Sequence, residues 1–191
     1  MLNKESVYLE ILENYFERKL VKFTQKEISV KLGISIGLVN KTVKSLVEIG
    51  VVTQRPRANT LIDAKKLLLY WSSQRKLNHD IMYKTHFDGS IKEIESSMPP
   101  DVVFTAYSGY RLKYGDAPAD YEKVFVYCEN VQEFKKRFPP SKKYENVFLL
   151  KKPVFLKPGI APASMLYVDL WNLRDWFATD YLNALEKRLF K

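Results

Sequence analysis

The stretch from residue 23 to residue 62 constrains the fold more than any other part of the chain. Thr24 and Glu27 form the Thr-x-x-Glu capping box that begins a helix, because each side chain satisfies a backbone N–H group of the first turn. Gly33 stands where a helix C-cap favours a residue with positive φ. Ser35 can then cap a second helix. The stretch therefore predicts two short helices joined by a tight turn.

The second predicted helix leads into a β-hairpin. Its buried face consists of three apolar residues at helical spacing, namely Val39, Val43 and Leu46. Gly50 ends the helix, and strand-like runs at 51–55 and 59–62 flank a Pro-Arg-Ala turn. Arg55 and Arg57 place two positive charges at the tip of this hairpin.

Two short helices around a glycine turn, followed by a basic hairpin, resemble the winged helix-turn-helix of prokaryotic transcriptional regulators. In that family the helix after the turn enters the major groove of DNA. The resemblance implies double-stranded DNA as a partner. It also implies a homodimer, since helix-turn-helix proteins commonly contact paired half-sites.

The residues left outside the apolar face of the second helix have the chemistry of a DNA-contacting surface. Asparagine can pair with adenine, lysine can reach guanine or phosphate, and arginine at a hairpin tip can enter the minor groove or contact the backbone. A helix N-terminus can also hold a phosphate. The alternative is an ordinary solvated basic surface. The predicted DNA-contacting residues are Thr24, Gln25, Ser35, Ile36, Gly37, Asn40, Lys41, Lys44, Arg55, Arg57 and Asn59.

Positive charge is concentrated in the same part of the chain. Residues 1–77 contain 14 lysines and arginines against 7 aspartates and glutamates, whereas residues 78–191 contain 17 against 15. A polyanion such as DNA would therefore meet the first half of the chain.

Composition excludes several other classes of protein. Cys128 is the only cysteine, so no intramolecular disulfide can form, and a reducing compartment is expected. No apolar run approaches the roughly 20 residues that span a bilayer, and the first residues are charged, so we expect a cytoplasmic protein without a membrane partner. His79 and His86 have no nearby cysteine or further histidine, so neither a metal nor another cofactor is predicted.

The apolar periodicity changes after residue 77, which predicts two domains. Residues 1–77 are predicted to form the winged helix with a linking helix capped by Asp63, and residues 78–191 an α/β domain with a mixed sheet, giving an α+β fold overall. The remaining helices are predicted at 5–21, 64–77, 90–98, 108–114 and 131–138, with a final helix capped by Asn172. The helix at 5–21 is predicted to be amphipathic, with its glutamates and lysines on the side opposite its apolar residues. Strands are predicted at 81–87, 102–106, 123–128, 146–150 and 165–170.

The second half has a resemblance of its own. Ser108-Gly109, followed by Asp120 and Glu122 before a strand, resembles a minimal nucleotidyltransferase, and Asp169 on a predicted strand matches the third acid of that family. The resemblance implies three carboxylates that hold two Mg²⁺ ions on nucleotide phosphates. The Ser-Gly order and the glutamate in second place depart from the family pattern. These departures favour a fold that has lost catalysis.

The two-part layout is similar to that of the repressor-antitoxins of type IV (abortive-infection) toxin systems. This resemblance implies a toxin or another protein as a further partner. The sequence thus predicts a sequence-specific DNA-binding transcriptional regulator whose C-terminal domain serves sensing, dimerisation or partner binding. The alternatives are a Mg²⁺-dependent nucleotidyltransferase that docks on nucleic acid through its winged helix, and an antitoxin that binds a toxin.

Overall fold

The computed structural model describes Met1 and residues 3–190. The chain divides into two compact units, Met1–Arg75 and Lys76–Leu189. A helix-turn-helix lies near the N-terminus and a mixed sheet follows it. The predicted α+β fold class is therefore confirmed.

The first unit contains four helices and a small sheet. Its helices are α1 (Asn3–Phe16), α2 (Gln25–Leu32), α3 (Ile36–Glu48) and α4 (Ala64–Gln74), and its strands are β1 (Lys22–Phe23), β2 (Val52–Gln54) and β3 (Asn59–Leu61). The sheet is antiparallel with the order β1-β3-β2. The first helix was predicted to continue to residue 21 but ends at Phe16.

The predicted caps of α2 and α3 are confirmed. The Thr24 hydroxyl accepts a hydrogen bond from the Glu27 amide at 3.1 Å, and the Thr24 amide donates to the Glu27 carboxylate at 2.9 Å. Gly33 ends α2 with a φ of 64°. The Ser35 hydroxyl accepts from the Leu38 amide at 3.3 Å and begins α3. Residues within a few positions of one another therefore set the boundaries of both helices.

The core of the first unit contains the predicted apolar residues and also two unpredicted carboxylates. Val39, Val43 and Leu46 are fully buried. Glu5 and Glu10 of α1, which the sequence placed on its solvent side, are buried as well. Glu5 accepts a hydrogen bond from Arg75, just after α4, at 3.1 Å. Glu10 accepts from Lys31 of α2 and from Arg18, both at 2.7 Å. Ion pairs thus join α1 to its neighbours where a polar outer face was expected.

The second unit is a five-stranded sheet with helices. After a 3-10 turn (Leu77–Asp80), its strands are β4 (Ile81–Thr85), β5 (Val103–Thr105), β6 (Val124–Cys128), β7 (Val147–Lys151) and β8 (Gly159–Ile160), and its helices are α5 (Ile91–Ser96), α6 (Ala106–Tyr114), α7 (Val131–Arg137), α8 (Ala163–Trp171) and α9 (Ala178–Leu189). The sheet order is β4-β7-β6-β5-β8. The pairs β6/β7 and β5/β8 are parallel, whereas β4/β7 and β5/β6 are antiparallel.

Two predictions at the C-terminal end were wrong. Residues 165–170 form part of the helix α8, not a strand, and every residue from Ala163 to Leu170 is buried. A helix that is buried on all sides shows no amphipathic period, so its short apolar run resembles a buried strand. Asn172 is the C-cap of α8 and does not begin the final helix, which starts at Ala178.

Candidate nucleic-acid interface

The outer face of α3 carries the predicted base-contacting side chains. Ile36, Gly37, Lys41 and Lys44 are exposed. The Asn40 amide donates a hydrogen bond to the Gln25 side-chain oxygen at 3.0 Å, which connects α3 to the start of α2. This bond uses one of the two Asn40 N–H groups and leaves the side-chain oxygen unused. The amide therefore keeps one N–H donor and one oxygen acceptor for the edge of a base.

The hairpin places its two arginines at an exposed tip. Arg55 and Arg57 lie between β2 and β3, on either side of Pro56. A groove of about 330 Å³ runs along this tip and includes Lys22 of β1. A narrower groove of about 190 Å³ is lined both by the start of α2 (Thr24, Gln25) and by the hairpin. The fold thus brings two separate parts of the predicted site together.

The electrostatic character of these grooves is positive. Lys22, Arg55 and Arg57 line them, and no aspartate or glutamate among the described residues does so. Phosphate oxygens are attracted to such a surface without competition from carboxylates.

Asn59 is predicted to contact DNA, yet it is buried. Its side chain is 5% exposed, and its amide nitrogen lies 3.5 Å from the Phe23 carbonyl oxygen of β1. Asn59 lines the narrower groove and helps to join two strands of the sheet. This burial favours a structural role for Asn59, and its direct contact with DNA stays a prediction.

Lys22 and Gln54 lie on this surface but are not among the predicted DNA-contacting residues. Lys22 belongs to a strand of only two residues, and its pairing with Thr60 depends on the fold. Gln54 lay within a predicted strand, where its exposed position at the end of β2 could have been inferred. Both side chains line grooves beside the arginines.

The three acids of the predicted alternative active site lie in different environments. Asp120 and Glu122 are exposed on the loop before β6. Asp169 is fully buried in α8, where it accepts hydrogen bonds from the Thr105 hydroxyl at 2.7 Å and the Tyr127 hydroxyl at 2.6 Å. In the described part of the chain no group of three or more His, Cys, Asp or Glu residues is placed to hold a metal ion. The three carboxylates therefore do not converge on a Mg²⁺ site.

The glycine of the Ser108-Gly109 pair has a packing role. A Cβ atom at Gly109 would lie 2.5 Å from Leu166 Cδ2 and 2.9 Å from the Phe104 carbonyl oxygen. Only glycine lets α6 approach β5 and α8 this closely. Gly109 thus has a structural explanation that involves no phosphate.

Comparison with known proteins identifies one matching region. Residues 23–53 match a family model described as winged helix-turn-helix DNA-binding. The match covers α2, α3 and the beginning of the hairpin, which are the elements that carry the half-buried Asn40 and the exposed lysines. It supports a DNA-binding regulator in general terms.

No curated protein and no solved structure is detectably similar to the chain. None of the helices in the described residues is long and apolar enough to cross a membrane.

Proposed function

We propose that the protein is a sequence-specific DNA-binding transcriptional regulator. In this proposal α3 enters the major groove, and the hairpin contacts the adjacent backbone or minor groove. The observation that carries it is the groove lined jointly by the start of α2 and the arginine-bearing hairpin tip. A DNA backbone beside an inserted α3 would follow such a groove.

The side chains have separate tasks in this proposal. Asn40, held by Gln25, contacts base edges and supplies sequence preference. Lys44, Arg55 and Arg57 meet phosphates, which fixes the register of the protein on the duplex without selecting a sequence. Each phosphate that is neutralised releases counterions, so affinity falls as salt rises.

A salt titration of the double variant Arg55→Ala/Arg57→Ala tests this division of tasks. DNA fragments from the protein's own promoter and fragments of random sequence are titrated by fluorescence anisotropy at several salt concentrations. Both kinds of DNA should bind more weakly to the variant. The slope of log K against log salt should become shallower by about 1.8, since each lost phosphate contact removes about 0.9.

Lys142→Ala is the matched control, because Lys142 is an exposed lysine of the second unit. It should leave both the affinity and the slope unchanged. Equal losses in the control and the double variant would show that overall charge, not the hairpin, is responsible. If the unaltered protein binds no DNA at low salt, the proposed function is wrong.

We further propose that the protein binds as a homodimer, since one α3 contacts only a half-site of a few base pairs. The same titrations, repeated at DNA concentrations far above Kd, give the stoichiometry. Two chains per fragment are expected. One chain per fragment would contradict the dimer and leave the DNA-binding proposal standing.

A further inference from the structure

A second concave site lies in the first unit, among α1, α3 and α4, away from the hairpin. Its volume is about 670 Å³. Pockets that hold small organic molecules have volumes of this size. The predicted DNA-contacting residues include only one of its lining residues, Lys41.

Aromatic rings and hydroxyl groups form much of the wall. The rings of Tyr8 and Tyr70 pack edge to face with their centroids 5.9 Å apart. Burial is the main cause that raises the pKa of Tyr8, so its hydroxyl stays neutral. Leu38 adds an aliphatic surface. A flat apolar ring fits this lining, with hydroxyl groups available to its polar substituents.

The charges around the pocket are positive. Lys4 of α1 and Lys41 of α3 both line it, and no aspartate or glutamate does so among the described residues. Neither ammonium group forms an ion pair within the part of the chain that the structure describes. An anionic group on the ligand would gain two charge-assisted contacts.

We propose that this pocket binds a small aromatic acid. The ring lies against Tyr8, Tyr70 and Leu38, and the carboxylate or sulfonate lies between Lys4 and Lys41. Neither the match to a DNA-binding family nor the groove at the hairpin assigns a ligand to this site.

The position of Lys41 gives the ligand a regulatory consequence, which rests on the proposed DNA-binding function. On α3, Lys41 stands between the exposed face that carries Gly37 and Lys44 and the face that lines the pocket with Ser45. A ligand that holds the Lys41 ammonium withdraws it from DNA phosphate. The acid therefore lowers DNA affinity, and DNA lowers the affinity for the acid by the same factor.

Two probes test binding to the full-length protein. The fluorescence of 8-anilinonaphthalene-1-sulfonate, an aromatic sulfonate, should rise on binding, and salicylate should displace it. Salicylamide, which has the same ring without the negative charge, should displace it at least about fivefold less well, since it lacks the ion pairs. Equal displacement by the two compounds would overturn the proposal.

Charge variants locate the site. Lys4→Glu should weaken binding of both anions by about threefold or more, because it replaces attraction by repulsion, while DNA affinity without ligand stays unchanged. Lys44→Gln, one helical turn from Lys41 and outside the pocket, is the matched control. It should lower DNA affinity and leave anion binding unchanged. Circular dichroism verifies that both variants are folded, and unchanged anion binding by folded Lys4→Glu would overturn the proposal.

A final comparison separates this proposal from the proposed function. At constant ionic strength, salicylate should weaken DNA binding by the unaltered protein about twofold or more. For Lys4→Glu the salicylate concentration that gives half of this effect should rise by the same factor by which the variant binds salicylate more weakly. If no DNA is bound under any condition but anion binding remains sensitive to Lys4→Glu, the regulator proposal fails and the pocket stands. If sedimentation shows that Lys4→Glu dissociates a dimer, the pocket is covered by a second copy, and the ligand proposal is overturned.

Discussion

At the residue scale, two glycines within helices have opposite surroundings. Around Gly37 of α3, a Cβ atom would meet no described atom within 4 Å outside its own helix turn. At Gly109 of α6 the same atom would overlap Leu166 and the Phe104 carbonyl group. The first glycine is therefore not needed for folding, and the second is.

Alanine substitution at both positions tests whether the start of α3 approaches DNA. Gly37→Ala should stabilise the protein by about 0.4–1 kcal/mol, because alanine restricts the unfolded chain. It should nevertheless weaken DNA binding, since the added methyl group lies where α3 would enter the groove. Gly109→Ala should destabilise the protein by about 1–3 kcal/mol through overpacking. Urea unfolding and DNA titration measure the two effects.

Each of the two glycine variants serves as the control for the other. If Gly37→Ala binds DNA as well as the unaltered protein does, the duplex does not approach the start of α3. Gly109→Ala that is as stable as the unaltered protein would show that β5 and α8 can move apart at no cost.

Asn40 is the residue on which sequence preference should depend. Asn40→Ala removes the amide that Gln25 orients, so affinity for the preferred site should fall by about 5- to 150-fold, corresponding to the 1–3 kcal/mol of one bidentate base contact. Affinity for random DNA should change little. Competition titrations with both DNAs measure the ratio. An equal loss on both DNAs would show that Asn40 contacts only the backbone.

At the scale of elements, a buried ion pair connects α1 to the end of α4. The side chains of Glu5 and Arg75 are each 2% exposed and lie 3.1 Å apart. Arg75→Met should destabilise the first unit by about 3–5 kcal/mol, because the Glu5 carboxylate loses this partner while still buried. Thermal unfolding measures the change.

The double variant Glu5→Leu/Arg75→Met separates charge burial from packing. It should recover much of the lost stability, since the Glu5 carboxylate is removed together with Arg75. If the double variant is no more stable than Arg75→Met alone, the methionine disturbs packing and the ion pair is not the cause.

At the scale of the whole molecule, each unit has its own core, and the single cysteine belongs to the second. Cys128 is fully buried in a cluster that includes Val126 and Phe134. Desolvation is the main cause that raises the pKa of its thiol, so the reactive thiolate is scarcer at a given pH than in a solvated cysteine.

Thiol labelling can therefore report on the second unit alone. A disulfide reagent such as Ellman's should label native protein slowly, and its rate should rise with pH toward the raised pKa. In urea, labelling should become fast as the second unit unfolds. Rapid labelling of native protein at pH 7 would mean that this core opens readily. Cys128→Ser, which has no thiol, provides the blank.

Features that depend on neighbouring residues follow from the amino-acid sequence alone. The capping box of Thr24 and Glu27, the αL turn at Gly33 and the spacing of Val39, Val43 and Leu46 involve residues only a few positions apart. Their hydrogen bonds and helical periods are local, so α2, α3 and the hairpin were predicted correctly. The predicted DNA surface rests on these elements.

Features that depend on which distant residues cover a segment are set by long-range packing. The same apolar run could be a buried strand or a buried helix, and α8 is a helix packed against α6 and α9. Asp169 was predicted to belong to an acid cluster, but it is buried and accepts hydrogen bonds from the Thr105 and Tyr127 hydroxyl groups. Asn59 and Glu5 were assigned to the surface but are buried by distant parts of the chain. Periodicity predicts which face of an amphipathic helix is buried, but it does not show whether distant parts of the chain cover the other face as well.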